Sequence, residues 1–262
     1  MKHSSFIVSI LFGLFLLPVT SYARTIVNSS YHYVTEPVTK KIGSFEKISV
    51  PSSVDVEFTT GTQQELSIYG SDNTIQYVNL SVNNKTLTVS MEPNVTIQGK
   101  SKLKVLITAP RLTEIYIGGS GDIDVRGLNT TLQRIEISGS GDVEIDQLQT
   151  QSLVASVMGS GDIEIKNLKA SSVDVKVNGS GDVEMRGLAE NALYTVNGSG
   201  DIDAEKLIVR NLTAQVNGSG DIECYADVSL NAEVNGSGEI EYRGKPQTIN
   251  LSGRKSSIHP KY

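Results

Sequence analysis

Fourteen acidic residues stand in two evenly spaced columns. Asp122, Asp142, Asp162, Asp182, Asp201, Asp221 and Glu239 form one, and Asp124, Glu144, Glu164, Glu184, Asp203, Glu223 and Glu241 the other. Partners in the two columns are two residues apart, so on an extended strand they point to the same face. Carboxylates repeated every ~4.8 Å repel by roughly 1 kcal/mol per neighbour in water, and something must relieve that. One reading is chemical: acids from adjacent turns bind a cationic ligand or a divalent cation, with oxygen-seeking Ca²⁺ the natural choice and no other cofactor implied. Asp142, Glu144, Asp162, Glu164, Asp182 and Glu184, central in the columns, are the candidate binding residues. The other reading is structural: each acid of the first column accepts backbone N–H groups at a turn, while Arg126, Lys166, Arg186 and Arg243 screen the second. The calcium nonapeptide pattern is not met, because Gly118-Gly119-Ser120-Gly121-Asp122 places the acid one position early and the period is not nine.

No other constellation promises catalysis. Cys224 is the single cysteine, so no disulfide forms within the chain, and its place in an apolar column makes it a buried, inert thiol. His32 and His259 lie towards the two ends, and spacing assembles neither a Ser/His/Asp set nor a His/Cys metal cluster. No catalytic residue is expected.

The elements that position the acids follow from a repeat. Gly-Ser-Gly-acid-Ile/Val begins at Gly119, Gly139, Gly159, Gly179, Gly198, Gly218 and Gly236, with spacings of 20, 20, 20, 19, 20 and 18 residues. Two positions before the first glycine stand Ile117, Ile137, Val157, Val177, Val196, Val216 and Val234; four after it stand Ile123, Val143, Ile163, Val183, Ile202, Ile222 and Ile240. Alternation on both sides of a glycine corner means two inward-facing strands per coil. Leu128, Leu148, Leu168, Leu188 and Leu207 supply a third inward column. A single 20-residue coil cannot bury enough apolar surface to stand alone, so coils must stack and pair in parallel. The fold predicted is all-β: one elongated parallel β-solenoid, right-handed by the crossover preference. Twenty residues are too few for a four-stranded propeller blade. Asn178, Asn197, Asn217 and Asn235, just ahead of the motif, predict a stack of bonded amides.

Around the regular array, residues 118–245, the chain divides further. Residues 1–23 read as a secretory signal peptide: Lys2 and His3, an apolar run over residues 6–17, then Ser21-Tyr22-Ala23 before a cut. Residues 24–44 read as a tether or loosely held strand, and residues 45–117 as irregular β coils with a hairpin at Asn83-Asn84 and a turn at Thr60-Gly61-Thr62. Residues 48–58 align without a gap on residues 135–145, as an early coil that has lost its glycines. Residues 246–262, starting at a proline that blocks pairing, form a capping half-coil and tail in which Arg254 and Lys255 stand where the acid would be.

These features together resemble a bacterial family, the head GIN domain family of autotransporter adhesins. The matching residues are Phe45-Glu46-Lys47-Ile48-Ser49-Val50 with Val54-Asp55-Val56, Lys85-Thr86-Leu87-Thr88-Val89, and Leu103-Lys104-Val105-Leu106-Ile107 leading through Leu112-Thr113-Glu114-Ile115 into the repeated Gly-Ser-Gly-Asp. The resemblance implies an exported β-solenoid and brings no catalytic residues. Two functions stand against each other. One is an exported, non-enzymatic binding or adhesion module presenting its acidic face to a glycan or a surface protein. The other is a carbohydrate-active β-helix enzyme, lyase or hydrolase, using carboxylates with calcium. Uniform columns favour the first, since an enzyme site sets unlike residues on one or two coils. A net charge of -6 and a pI near 5.2 speak against nucleic acid. No membrane insertion is expected after signal cleavage, so the protein belongs in the periplasm, at the cell surface or outside the cell.

Overall fold

A computed structural model describes residues 25–28, 38–98 and 103–261. The signal-peptide reading of residues 1–23 and His32 lie outside the described residues.

The irregular part opens with β1 (Thr25–Asn28), β2 (Val38–Thr39), β3 (Lys47–Val50), β4 (Asp55–Thr60), β5 (Glu65–Tyr69) and a one-turn helix α1 (Asp72–Ile75). It continues with β6 (Val78–Asn83), β7 (Thr86–Met91), β8 (Val95–Gln98) and β9 (Lys104–Ala109). Strands β6 and β7 make a hairpin whose turn residues Asn84 and Lys85 both have positive φ, the geometry a two-residue hairpin requires. The regular part follows with β10 (Glu114–Ile117), β11 (Ile123–Asn129), β12 (Arg134–Ile137), β13 (Val143–Val157), β14 (Ile163–Val177) and β15 (Val183–Val196). It ends with β16 (Ile202–Val216), β17 (Ile222–Val234), β18 (Ile240–Arg243), β19 (Thr248–Gly253) and β20 (Ile258–Pro260).

The strands stack into a parallel β-solenoid. The long strands β13 to β17 each bend to cover two sides of a coil, and a five-residue glycine corner closes the circuit. Pairing is residue for residue: Ile117 faces Ile137, which faces Val157, then Val177, Val196, Val216 and Val234. The second column runs from Val105 through Val56, Ile123 and Val143 to Ile240 and Ile258. Every member of both columns except Ile258 is at most 1% exposed, so the core is two aliphatic ladders running through the stack.

At the corners, backbone lies on backbone. A Cβ on Gly159 would sit 1.9 Å from the carbonyl oxygen of Gly139, and one on Gly161 would sit 2.1 Å from that of Gly141. The motif glycines therefore serve close approach between coils rather than an unusual φ. This also explains the early coil. Residues 48–58 lie directly beneath the first regular coil, with Ile48 on Ile115 and Val56 on Ile123. Below them β7 and β9 continue the two stacks, but between these strands the chain leaves through β8 instead of closing a corner. Among the described residues no corner stacks underneath, so Ser52 and Val54 can occupy the glycine positions.

The third side departs from the predicted leucine column. Leu148, Leu168 and Leu207 are buried, but Leu128 and Leu188 are 49% and 53% exposed. In both exceptions a glycine precedes the leucine, Gly127 with φ +74° and Gly187 with φ +134°, and the pairing register shifts there. A register shift by one turns each side chain to the opposite face. Asn129 takes the place on Leu148 instead, and Gly187 itself sits on the rung between Leu168 and Leu207, with the buried Ala189 on the next rung between Ala170 and Val209. The Oδ1 of Asn129 accepts the N–H groups of Thr131 and Leu132, both at 2.9 Å, which satisfies the buried amide oxygen.

Candidate functional site

The two acid columns have different jobs. In the first, each aspartate accepts the N–H of the equivalent residue one coil on. Asp162 donates to Asp142 Oδ1 at 2.8 Å, Asp182 to Asp162 and Asp201 to Asp182 at 2.7 Å each, and Glu239 to Asp221 at 2.8 Å. The bond links neighbouring coils rather than closing a turn within one, and a side-chain oxygen replaces a main-chain acceptor where the chain rounds the corner. The run starts in the early coil, where Asp55 Oδ1 accepts the N–H of Asp122 at 3.2 Å.

In the second column, cations bridge the acids. Arg126 lies 3.3 Å from Asp124 and 2.8 Å from Glu144, Lys166 also bonds Glu144, and Arg186 bonds Glu184. Lys166 and Arg126 hold the Glu144 carboxyl below the usual range. Asp142 moves the other way. Partial burial pushes its carboxyl up, opposed by the N–H of Asp162 and reinforced by the charges of Asp122 and Asp162.

All six candidate residues come together. Asp142, Glu144, Asp162, Glu164, Asp182 and Glu184 line one shallow groove of about 350 Å³. Asp182 and Glu184 also begin a second groove, about 270 Å³, that continues over Asp201, Asp203, Asp221 and Glu223. Among the described residues, Asp142, Asp162, Glu164 and Asp182 have no cationic partner within ion-pair distance, although Lys166 and Arg186 act on Glu164 from further off, so unbridged carboxylates sit mid-groove. Among the described residues, no three of the six bring their oxygens within 4.8 Å of one another. The face can attract cations and hydrogen-bond donors along its length, but it does not gather one cage.

Other sequence signals resolve as packing. Asn197 bonds Asn178 at 2.8 Å, Asn217 bonds Asn197 at 2.9 Å and Asn235 bonds Asn217 at 3.2 Å, forming the amide stack. Two further amide pairs on separate columns, Asn211 on Asn191 at 3.1 Å and Asn250 on Asn231 at 2.8 Å, are hidden in the sequence because those asparagines sit in no fixed relation to the glycine motif. Cys224 is fully buried, and burial pushes its thiol up to about 12, so it carries no thiolate chemistry. Tyr194 takes an inward place between Val175 and Ala214, small enough neighbours to admit the ring, and its hydroxyl has no hydrogen-bond partner among the described residues.

Repeated coils of this kind, rising from an irregular base, characterise a known family. Over residues 44–246 the sequence matches the family described as "Putative auto-transporter adhesin, head GIN domain". The chain belongs to this family. A crystal structure from Parabacteroides distasonis, described as a "putative lipid binding protein", is 26% identical with a TM-score of 0.79, covering 91% of this chain and 100% of that chain. A "putative adhesin" from Bacteroides fragilis is 27% identical with a TM-score of 0.65, covering 90% and 100%. A "putative adhesin" from Parabacteroides merdae, 20% identical with a TM-score of 0.78 over 91% and 100%, shares the fold. A search of curated proteins finds no match.

Proposed function

We propose that this protein is an exported, non-enzymatic binding or adhesion module that presents the acidic groove to a glycan or a surface protein. The observation that carries the reading is the groove itself: six acids in three like pairs on adjacent coils, the middle pair Asp162 and Glu164 having no cation within ion-pair distance among the described residues. Such a face offers the same acceptors at every coil, which suits an extended ligand rich in hydroxyl or ammonium donors. It does not supply an acid and a base tuned apart on one substrate bond. Membership of an adhesin family supports the binding role, and the apolar run over residues 6–17 followed by Ser21-Tyr22-Ala23 supports export to the periplasm, the cell surface or beyond. The lipid-binding description of one relative finds less support here, because the inward aliphatic columns are consumed by the core. Among the described residues no helix is long and apolar enough to cross a membrane.

The test is a screen of the exported chain against glycan and surface-protein arrays, with and without calcium, followed by product analysis on each hit. Saturable binding without turnover is expected. Depolymerisation of a polysaccharide, abolished by changing one or two acids alone, would establish the enzyme instead.

A further inference from the structure

The C-terminal end of the acid columns breaks the repeat in two places at once. Glu239 stands where the other six copies carry Asp. In the copies below, that carboxylate accepts the next coil's N–H; the longer side chain of Glu239 instead faces an imidazole. Strand β20 pairs in parallel with β18, Ile258 on Ile240 and His259 on Glu241, so His259 occupies the next rung of the second acid column. The Nε2 of His259 lies 3.4 Å from Glu241 Oε1 and 3.7 Å from Glu239 Oε2. One ligand atom from each of the three residues lies within 4.8 Å of the other two.

Zn–N and Zn–O bonds of about 2.0–2.2 Å at tetrahedral angles place ligand atoms roughly 3.3–3.6 Å apart. The His259–Glu241 edge already has that spacing at 3.4 Å, and the His259–Glu239 edge exceeds it slightly at 3.7 Å. The supports are in place as well. Lys261 Nζ lies 3.4 Å from Glu241 Oε2 and steadies that carboxylate from the far side, leaving Oε1 towards His259. The backbone of Glu239 is tied to Asp221, and those of Glu241 and His259 are held by the β18–β20 pairing. The side chains are 47%, 27% and 42% exposed for Glu239, Glu241 and His259, so an ion with its remaining water can enter.

We propose that Glu239, Glu241 and His259 bind a divalent transition-metal ion of the zinc class, with water completing its coordination. One nitrogen and two carboxylate donors suit zinc, whereas calcium and magnesium take oxygen ligands throughout. The nearby group of Asp203, Glu205 and Glu223 is not equivalent. It offers oxygens alone, and Arg243 and Lys261 already neutralise Glu205, at 3.0 and 3.3 Å.

Isothermal titration of the chelator-stripped exported chain with zinc chloride, and separately with calcium and magnesium chloride, tests the site. One zinc ion per chain is expected, bound at least tenfold more tightly than calcium or magnesium. His259→Gln and the pair Glu239→Gln with Glu241→Gln should each weaken zinc at least tenfold, and His32→Gln should leave it unchanged. Circular dichroism checks that the variants fold. Should one fail to fold, anomalous scattering from zinc-soaked wild-type crystals locates the ion directly. Absence of saturable zinc binding, a folded His259→Gln variant that binds as wild type, or zinc located on other residues would overturn the proposal and leave the three groups as an ion pair of the cap.

Discussion

Asp142 Oδ1 accepts the backbone N–H of Asp162, one coil further on, at 2.8 Å. The bond needs an oxygen acceptor, not a charge, and the Asp142 carboxyl is already pushed up by its surroundings. Asp142→Asn should therefore be near neutral, since the amide keeps the acceptor and removes repulsion from Asp122 and Asp162. Asp142→Ala should cost about 1–2 kcal/mol, because it leaves the N–H of Asp162 without its partner. Urea denaturation of both variants decides this. Equal losses would mean that charge, rather than the bond, matters at the corner.

Two glycine-to-alanine changes should differ sharply. Gly159→Ala forces a Cβ to within 1.9 Å of the Gly139 carbonyl oxygen, so the coils must separate, at a cost of about 3 kcal/mol or more. A Cβ on Gly127 meets nothing within 4 Å, and only its φ of +74° opposes alanine, costing about 1–2 kcal/mol. Thermal melts showing the same loss for both would remove close stacking as the reason for the motif glycines.

Acid should weaken the fold through the second column. Hydrogen bonds from Lys166 and Arg126 hold Glu144 below the ordinary carboxylate range, and beside the column, two residues past Asp203, one from Arg243 does the same for Glu205. A carboxyl lowered on folding contributes stability that is complete above its unfolded value and lost as pH falls through the folded one. Asp142, shifted upward, opposes this by gaining as it protonates. The melting temperature should fall as pH drops through the carboxylate range, and Glu144→Gln should flatten that fall. An unchanged slope in the variant would show that the bridges contribute nothing.

The first-order design was legible because each coil repeats it: inward Ile and Val columns, corner glycines and outward acids all recur at one spacing. What was not legible depended on single residues that change a register. Gly127 and Gly187 rotate Leu128 and Leu188 outward, though the leucines keep their place in sequence. The tail was harder still. It has no Gly-Ser-Gly motif, yet Ile258 lies in register on Ile240, and that alignment puts His259 against Glu241. The six candidate acids share a groove because both columns ride on one rigid sheet.

Ions should act on the groove mainly by screening, because no three of the six acids converge on one point among the described residues. The melting temperature should rise modestly with tenths-molar sodium chloride and respond alike to millimolar calcium and magnesium. The experiment includes the variant with Asp162, Asp182 changed to Asn and Glu164, Glu184 changed to Gln. A saturable, calcium-selective rise in wild type that disappears in this variant would show a calcium site in the groove.

The central claim is that the acidic groove is the binding face, and equilibrium binding of a ligand from the array screen tests it most directly. Glu164→Lys with Glu184→Lys reverses charge in the groove, while Lys169→Glu alters the exposed third side of the same coil. Both sets lie on outward positions and should leave the core ladders intact. The account predicts at least a tenfold loss of affinity for the groove variant and wild-type affinity for Lys169→Glu. Wild-type affinity in a folded groove variant, or equal loss in both, would contradict it.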